Sequence, residues 1–302
     1  MRKLLVLLVA LVTVAAFAAV SISGSAWAKL QVEFDTTSAT PTITSGGSVG
    51  LVLSGNIGER TGFYVTFSGF SVSEARVYEY LPMTDALKIR YWLGSISRGS
   101  TYVKSSGGAF ALDFDMVLGD LKDNLVAYVY FPANASPTII DVDVYNKLTF
   151  SFVTLTAFAK GLISAGAGSF PLLGLDTTIN LAQALNIQGA TLSGYANLGI
   201  NPNNTGFNML EKYKFGLNFG IDKFTGGLWF EGPKTLGASV KTTVLAPVTI
   251  GGSVELPVTL ADFSEVTLSA YATWQSELLT HKISLSFQKP KATVAWTVSV
   301  SF

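Results

Sequence analysis

The chain has 302 residues, a formal net charge of zero and no cysteine. Charged residues make up 13% of it, whereas an ordinary soluble domain contains about 25%, so we expect a medium other than water to cover much of the surface. The missing cysteines exclude disulfides and thiolate metal sites. A neutral chain without a basic tract interleaved with aromatic residues gives no reason to expect a nucleic-acid partner.

The first 28 residues have the organisation of a secretory signal peptide. Arg2 and Lys3 precede an uncharged apolar run from Leu4 to Val20, and a small-x-small site ends at Ala28. The pattern predicts export through the Sec pathway with cleavage after Ala28. An uncleaved membrane anchor is the alternative, although the apolar run is short for one.

Residues 48–302 repeat one pattern, in which segments of eight to twelve residues alternate apolar and polar side chains. This period indicates β-strands. No stretch approaches the ~20 apolar residues that a membrane helix needs, and only helices and closed barrels satisfy every backbone group in lipid. The sequence therefore predicts an all-β fold, a single antiparallel transmembrane β-barrel of about 16 strands, with 14 and 18 as alternatives. Residues 29–47 are predicted to form a short edge strand and a flexible lead-in.

The last eleven residues, Ala292 to Phe302, alternate without a fault and end on an aromatic residue. Val294, Trp296 and Phe302 lie on one face, and the other face carries no charge. This stretch resembles the C-terminal signal strand of bacterial outer-membrane β-barrel proteins. The resemblance implies the outer membrane of a Gram-negative-type envelope and recognition by the barrel-insertion machinery, with Trp296 and Phe302 in the recognised strand.

The second face of each segment distinguishes a barrel in lipid from a soluble β-sandwich. A sandwich would expose Lys, Glu and Asp on its wet face, whereas here Ser, Thr, Gly, Ala, Asn and Tyr predominate. Aromatic residues near strand ends are expected to form girdles at the lipid headgroups. The girdle candidates are Phe70, Tyr78, Tyr80, Tyr91, Trp92, Tyr128 to Phe131, Trp229, Phe230, Trp274 and Phe302.

Residues 160–189 fit two structures. Ile179, Leu181, Leu185 and Ile187 alternate with one fault and favour a strand pair in the wall, whereas Asp176-Thr177 could cap a short helix that narrows the lumen.

Several charged residues share the polar face of their segments. We expect them to line the pore, where acidic and basic walls would set ion preference. The alternative is that they hydrate the aqueous rims. The pore-lining candidates are Lys88, Arg90, Asp113, Asp115, Asp141, Asp143, Lys212, Lys214 and Lys241.

No catalytic, cofactor or metal site is predicted. His281, the one histidine, falls on the outward face near the start of a strand, and no ligand cluster surrounds it in sequence. Gly46 to Gly50 matches the nucleophile-elbow pattern Gly-x-Ser-x-Gly, but an alternating strand follows it instead of a helix. An outer-membrane barrel hydrolase is therefore a remote alternative.

The barrel pattern and the last strand together resemble the porin superfamily. The resemblance implies a passive diffusion channel for small hydrophilic solutes and ions, and a homotrimer. The predicted connections are shorter than typical porin loops, and no long constriction loop is visible after the fifth or sixth strand. A structural outer-sheath barrel without transport is therefore the second hypothesis.

Overall fold

The computed structural model describes residues 19–301 except 36, 39, 57–58, 70, 82–83, 85, 131–140, 165–169, 233–234 and 259–264. In these residues the strands are β1 (Ala19–Asp35), β2 (Thr42–Asn56), β3 (Thr61–Ser68), β4 (Ser71–Tyr80), β5 (Leu87–Gly99), β6 (Lys104–Leu118), β7 (Leu121–Tyr130), β8 (Asp141–Phe150), β9 (Val153–Ser164), β10 (Leu172–Asn180), β11 (Ala190–Ile200), β12 (Leu210–Ile221), β13 (Phe224–Glu231), β14 (Thr235–Thr242), β15 (Thr249–Pro257), β16 (Thr267–Ser276), β17 (Leu279–Gln288) and β18 (Lys291–Ser301). Helix α1 spans Leu181–Ala184, and one 3-10 turn spans Gly206–Met209. None of the helices in the described part of the chain is long and apolar enough to cross a membrane.

Every strand pairs antiparallel with the next, and β1 pairs with β18, so the sheet closes on itself. Ala26 shows the closure directly, because it lies opposite Val49 of β2 and opposite Val300 of β18. A closed ladder leaves no strand edge with unpaired backbone groups. The predicted single antiparallel barrel is confirmed.

The central estimate of 16 strands is wrong, because the barrel has 18. One missed strand is β1, whose sequence had been assigned to the signal peptide and lead-in. The other is the segment Ser73 to Leu81, which begins only a few residues after the end of β3. It forms β4, a separate strand, because Gly69 takes a positive φ of 61° and reverses the chain after β3.

Strand β1 begins inside the predicted signal peptide. Residues 19–28 pair with β2 along their whole length, while residues 1–18 lie outside the described part of the chain. Residues 29–33 are paired on both sides, and Phe34 and Asp35 are paired with β18, so this segment belongs to the wall of the closed sheet. Gly46 to Gly50 lie within the uninterrupted strand β2, which lacks the strand–turn–helix geometry of a nucleophile elbow.

The ambiguous segment 160–189 contains both predicted kinds of structure. Strand β10 belongs to the wall, and the one-turn helix α1 follows it directly. The helix cap is Asn180, whose Oδ1 accepts a hydrogen bond from the Gln183 amide at 3.0 Å, whereas the predicted cap Asp176-Thr177 lies within the strand. The helix does not enter the lumen, because Leu181 lies with Leu217 and Leu228 on the apolar outer surface.

The outer surface of the barrel is apolar. Leu93, Leu228 and Leu285 are 56%, 52% and 51% exposed, which is unusual for large aliphatic side chains in a water-soluble protein. Directly paired residues share a face of a sheet, and Leu228 lies opposite Leu217. The apolar rows of neighbouring strands therefore form a continuous outer band.

A charge placed on this band should destabilise the barrel. Arg at the bilayer midplane on the lipid face of a barrel costs about 2–4 kcal/mol, so we expect Leu285→Arg in β17 to lower the free energy of unfolding by about that amount in lipid vesicles. Ser284→Arg, one residue away on the lumen side, is the matched control and should change it little. Equal effects in urea titrations would contradict a lipid-facing Leu285.

Candidate functional site in the barrel interior

The ends of β5 and β6 form a hairpin that extends beyond the pairing with the neighbouring strands. Pairing of β4 with β5 stops at Gly94, and pairing of β6 with β7 starts at Ala109. Residues 95–108 therefore pair only with each other. We call this segment the inner hairpin.

The inner hairpin crosses the enclosed space and contacts strands on the far side. The Thr101 amide donates to Asp176 Oδ2 of β10 at 2.7 Å, and the Tyr102 hydroxyl donates to Glu231 Oε1 of β13 at 3.2 Å. Lys160 of β9 donates to the Lys104 carbonyl at 3.3 Å. Because these strands are not neighbours of β5 or β6 in the ring, the hairpin narrows the lumen.

Glycines allow the inner hairpin to leave the wall. Gly94 has a φ of 137°, which L side chains rarely adopt, and a Cβ there would collide with the backbone of Ala75 and Arg76. Gly107 has a φ of 154° at the return to the wall. The expectation that no constriction loop follows the fifth strand is therefore wrong. The loop was missed because both of its arms continue the strand pattern without a coil segment.

The hairpin contacts identify the inner face of the wall. Asp176 and Glu231 point at the hairpin, and residues directly opposite them on neighbouring strands share that face. Following the register across β5 to β13 gives one inner row in which positive and negative side chains alternate, with uncharged polar residues between some of them. We call it the charged row, and it consists of Lys88, Asp115, Asn124, Lys147, Thr156, Asp176, Asn197, Lys214 and Glu231.

Asp113 lies on the same face but is not a free charge. It is 3% exposed, and its Oδ2 accepts from Arg90 Nε at 3.1 Å and from Trp92 Nε1 at 3.0 Å. Asn124 Nδ2 donates to Asp113 Oδ1 at 2.6 Å. Arg90 also forms an ion pair with Asp113. A carboxylate with these partners is neutralised locally, so Asp113 organises the wall and adds little to the field in the pore.

Arginine and aromatic side chains form the wall next to Asp113. The Arg90 guanidinium lies 4.1 Å from the centroid of the Trp92 ring, and the Arg76 guanidinium lies 4.6 Å from the same centroid. Arg76 also forms an ion pair with Glu74. Trp92 and Tyr128 are 7% and 1% exposed. Guanidinium groups stack well on aromatic faces. The stacked arginine and aromatic side chains therefore form a packed lining on this part of the inner face.

The girdle assignment is therefore wrong for Tyr78, Tyr80, Trp92, Tyr128 and Tyr130, and also for Trp229, which shares the inner face with Glu231. Their parity places them on the inner face with Arg90 and Asp113, and Trp92, Tyr128 and Tyr130 belong to one buried cluster that Tyr78 packs against. The misassignment arose because position along a strand was weighed above strand parity. Phe70, Phe131 and Phe302 lie outside the described residues.

The remaining pore-lining candidates have different environments. Asp143 accepts a hydrogen bond from the Gly161 amide at 2.6 Å, at the bulge between β8 and β9, and so stabilises the backbone of that bulge. Asp141 lies opposite Tyr130. Lys214 pairs with Glu231 at 2.9 Å. Lys212 and Lys241, opposite Gly199 and Thr225, also follow the inner parity, and the pore-lining role of all nine candidates stays a prediction.

Sequence reasoning missed Tyr102, Asp176 and Glu231, because height along the barrel axis and contacts across the lumen are not encoded in alternation. One feature could have indicated the inner hairpin, namely the length of the two strands that form it. Strands β5 and β6 have 13 and 15 residues, whereas about 9–11 cross a bilayer, and the excess surrounds Gly99, Gly107 and Gly108.

His281 lies on the outer face, near the end of the barrel at which β18 ends. Its ring stacks on Trp274 at 5.2 Å and on Trp296 at 6.2 Å, and Nε2 lies 2.9 Å from the Ser276 hydroxyl. No group of three metal-ligating side chains occurs in the described residues. His281 is thus part of an aromatic stack on the outer surface.

No family model matches the sequence, and no curated protein matches it either. Solved structures do resemble the fold. The outer-membrane protein OprD from Pseudomonas aeruginosa matches with a TM-score of 0.56 and 7% identity, covering 95% of this chain and 94% of that one. OccK10 (OpdN) from the same organism gives 0.55 and 9%, covering 93% and 99%. A mutant of the Rh. blastica porin gives 0.52 and 8%, covering 94% and 100%.

At such identities the likeness is one of fold. The chain shares the fold of these outer-membrane porins, an antiparallel sheet that closes on itself. In this chain, the inner hairpin lies within that barrel.

The hairpin contact with β10 can be trapped covalently. The chain has no cysteine, so Thr101→Cys with Asp176→Cys introduces an isolated thiol pair where the native backbone and side chain are 2.7 Å apart. We expect rapid disulfide formation under mild oxidation, seen as a mobility change on a non-reducing gel. Thr101→Cys with Ser284→Cys of β17 is the matched control and should stay reduced. Equal oxidation of both pairs would contradict the docked hairpin.

Proposed function

We propose that the protein is an outer-membrane porin, a passive diffusion channel for small hydrophilic solutes and ions. The observation that carries the proposal is the combination of an apolar outer band with a polar inner face, and with an inner hairpin that crosses the enclosed space. Barrels of about eight strands are filled by their own side chains, whereas 16–18 strands leave an aqueous channel. We therefore expect the 18-stranded ring to leave room for water beside the inner hairpin.

Selectivity in this channel comes from the charged row and the inner hairpin. The Lys214–Glu231 ion pair and the Asp176 carboxylate lie on the wall that the hairpin tip contacts. Solutes passing the hairpin meet both signs of charge at short range. Charged rings at a constriction set ion preference, so we expect sorting by size and by charge at this level.

Planar-bilayer recordings test the channel. We expect purified protein to give discrete conductance steps, and replacement of residues 97–106 by a short turn to enlarge each step, because the obstacle in the lumen is removed. A variant lacking Asn204 and Thr205 in the β11–β12 connection is the control and should keep the wild-type step. A silent bilayer would contradict the channel and favour the structural outer-sheath barrel.

We also propose that export removes residues 1–28. After cleavage, Lys29–Glu33 would still pair with both β2 and β18, and the Lys291–Glu33 ion pair at 2.7 Å would be kept. N-terminal sequencing of protein recovered from the envelope should therefore begin at Lys29, and Ala28→Arg should block processing. A sequence that begins at Ala19 would contradict this site and would mean that the whole of β1 remains in the barrel.

The proposed location is the outer membrane, with insertion directed by β18. Trp296 is exposed on the lipid-facing side of this strand, where a recognition factor could reach it before the barrel closes. The homotrimer implied by the porin resemblance stays a prediction, which chemical cross-linking in native membranes tests.

A further inference from the structure

A pocket of about 390 Å³ opens on the inner wall between β5 and β8. Three lysines line it, Lys88, Lys122 and Lys147, together with Asn124 and Thr149. Even-numbered strands run towards the end of the barrel where β18 ends, and the lining residues lie at the last residues of β6 and β8 and the first of β5 and β7. The pocket is therefore at the lumen mouth on the side of the C-terminus, apart from the inner hairpin.

The three ammonium groups are not neutralised. No ion pair involves Lys88, Lys122 or Lys147 in the described part of the chain, although Asp115 lies directly opposite Lys88 in the ladder. The Asp115 carboxylate accepts from Asn124 Nδ2 at 2.6 Å instead. Among the other inner lysines, Lys214 is paired with Glu231 at 2.9 Å.

A second carboxylate, Asp123, also borders the pocket. Its parity on β7 is opposite to that of Lys122 and Asn124, and it accepts from Asn146 Nδ2 at 2.6 Å on the outer side of the wall. The pocket lining therefore carries three ammonium groups and two carboxylates, each carboxylate already hydrogen-bonded to an asparagine, which leaves one net positive charge.

We propose that this pocket binds oxyanions, with inorganic phosphate or the phosphate group of a small solute as the ligand class. Each ammonium is a compact point charge with three donors, which suits a multivalent tetrahedral anion, whereas planar carboxylates are better matched by the fork of an arginine. The lysines are exposed to water, so binding is weak and reversible, as a conduction path requires. The inference rests on the proposed channel, whose solutes would meet this pocket at the mouth.

Phosphate binding is measured first, without reference to conductance. We expect ³¹P NMR line broadening of inorganic phosphate to saturate with one site per chain when the protein is held in nanodiscs, and sulfate to compete. Lys88→Gln, Lys122→Gln and Lys147→Gln combined should weaken the saturable component at least tenfold. The combined Arg substitutions at the same positions keep the charge and should retain it.

Lys282 of β17 also follows the inner parity, opposite Thr273. The matched control therefore removes three other inner lysines, by Lys212→Gln, Lys241→Gln and Lys282→Gln, and should change phosphate affinity less than twofold. Equal losses in both triple variants would show that net lumen charge alone attracts phosphate, which overturns the site. An unsaturable wild-type signal overturns it as well, whether or not the variants fold.

Conductance then separates the two proposals. Discrete steps that phosphate does not reduce, together with absent NMR saturation, leave the channel intact and remove the pocket. Saturable binding with a silent bilayer keeps the pocket and removes the channel.

Discussion

The structure depends on the hydrogen bonds between β1 and β18. Seventeen of the eighteen antiparallel contacts join consecutive strands and form as local hairpins, whereas this one joins residues at opposite ends of the chain, such as Leu30 and Trp296. In hydrocarbon an unpaired strand edge would expose a row of backbone groups that cost several kcal/mol each. Closure therefore removes the only edges that the sheet would otherwise present to lipid.

Closure also imposes the division of the wall into two faces. Since side chains alternate across a strand, one register decides which residues meet lipid and which meet water. Leu228 and Leu285 lie outside, while Lys214, Glu231 and Asp176 lie inside, and the inner hairpin uses that polar face to dock. In the described residues, the interior of the barrel is thus lined by the inward side chains of the strands and by the inner hairpin.

The class of fold was predictable because it depends on local periodicity. Alternation over eight to twelve residues, few charges and the last strand were sufficient for a closed antiparallel barrel. The strand number was not, because β1 overlaps an apolar leader in composition and β4 follows β3 after a tight turn at Gly69.

The candidate site was predictable only in part. Parity placed Lys88, Arg90, Asp113 and Asp115 on one face, but parity carries no information on partners. The Asp113 carboxylate is fully hydrogen-bonded to Arg90, Trp92 and Asn124. The contact that holds the hairpin joins Tyr102 to Glu231, which are 129 positions apart in the chain. Contacts across a lumen depend on where a glycine such as Gly94 bends the backbone, and no local pattern reports that.

The alternation of sign along the charged row limits how far its influence reaches. Neighbouring charges of opposite sign cancel at distances larger than their own spacing, and salt shortens the reach further, to about 8–10 Å at physiological ionic strength. In the proposed channel, a small hydrated ion near the axis would therefore feel a weaker field than a larger dipolar solute that slides along the wall and meets each side chain in turn. Sorting by charge would then be stronger for bulky, multiply charged molecules than for simple electrolytes.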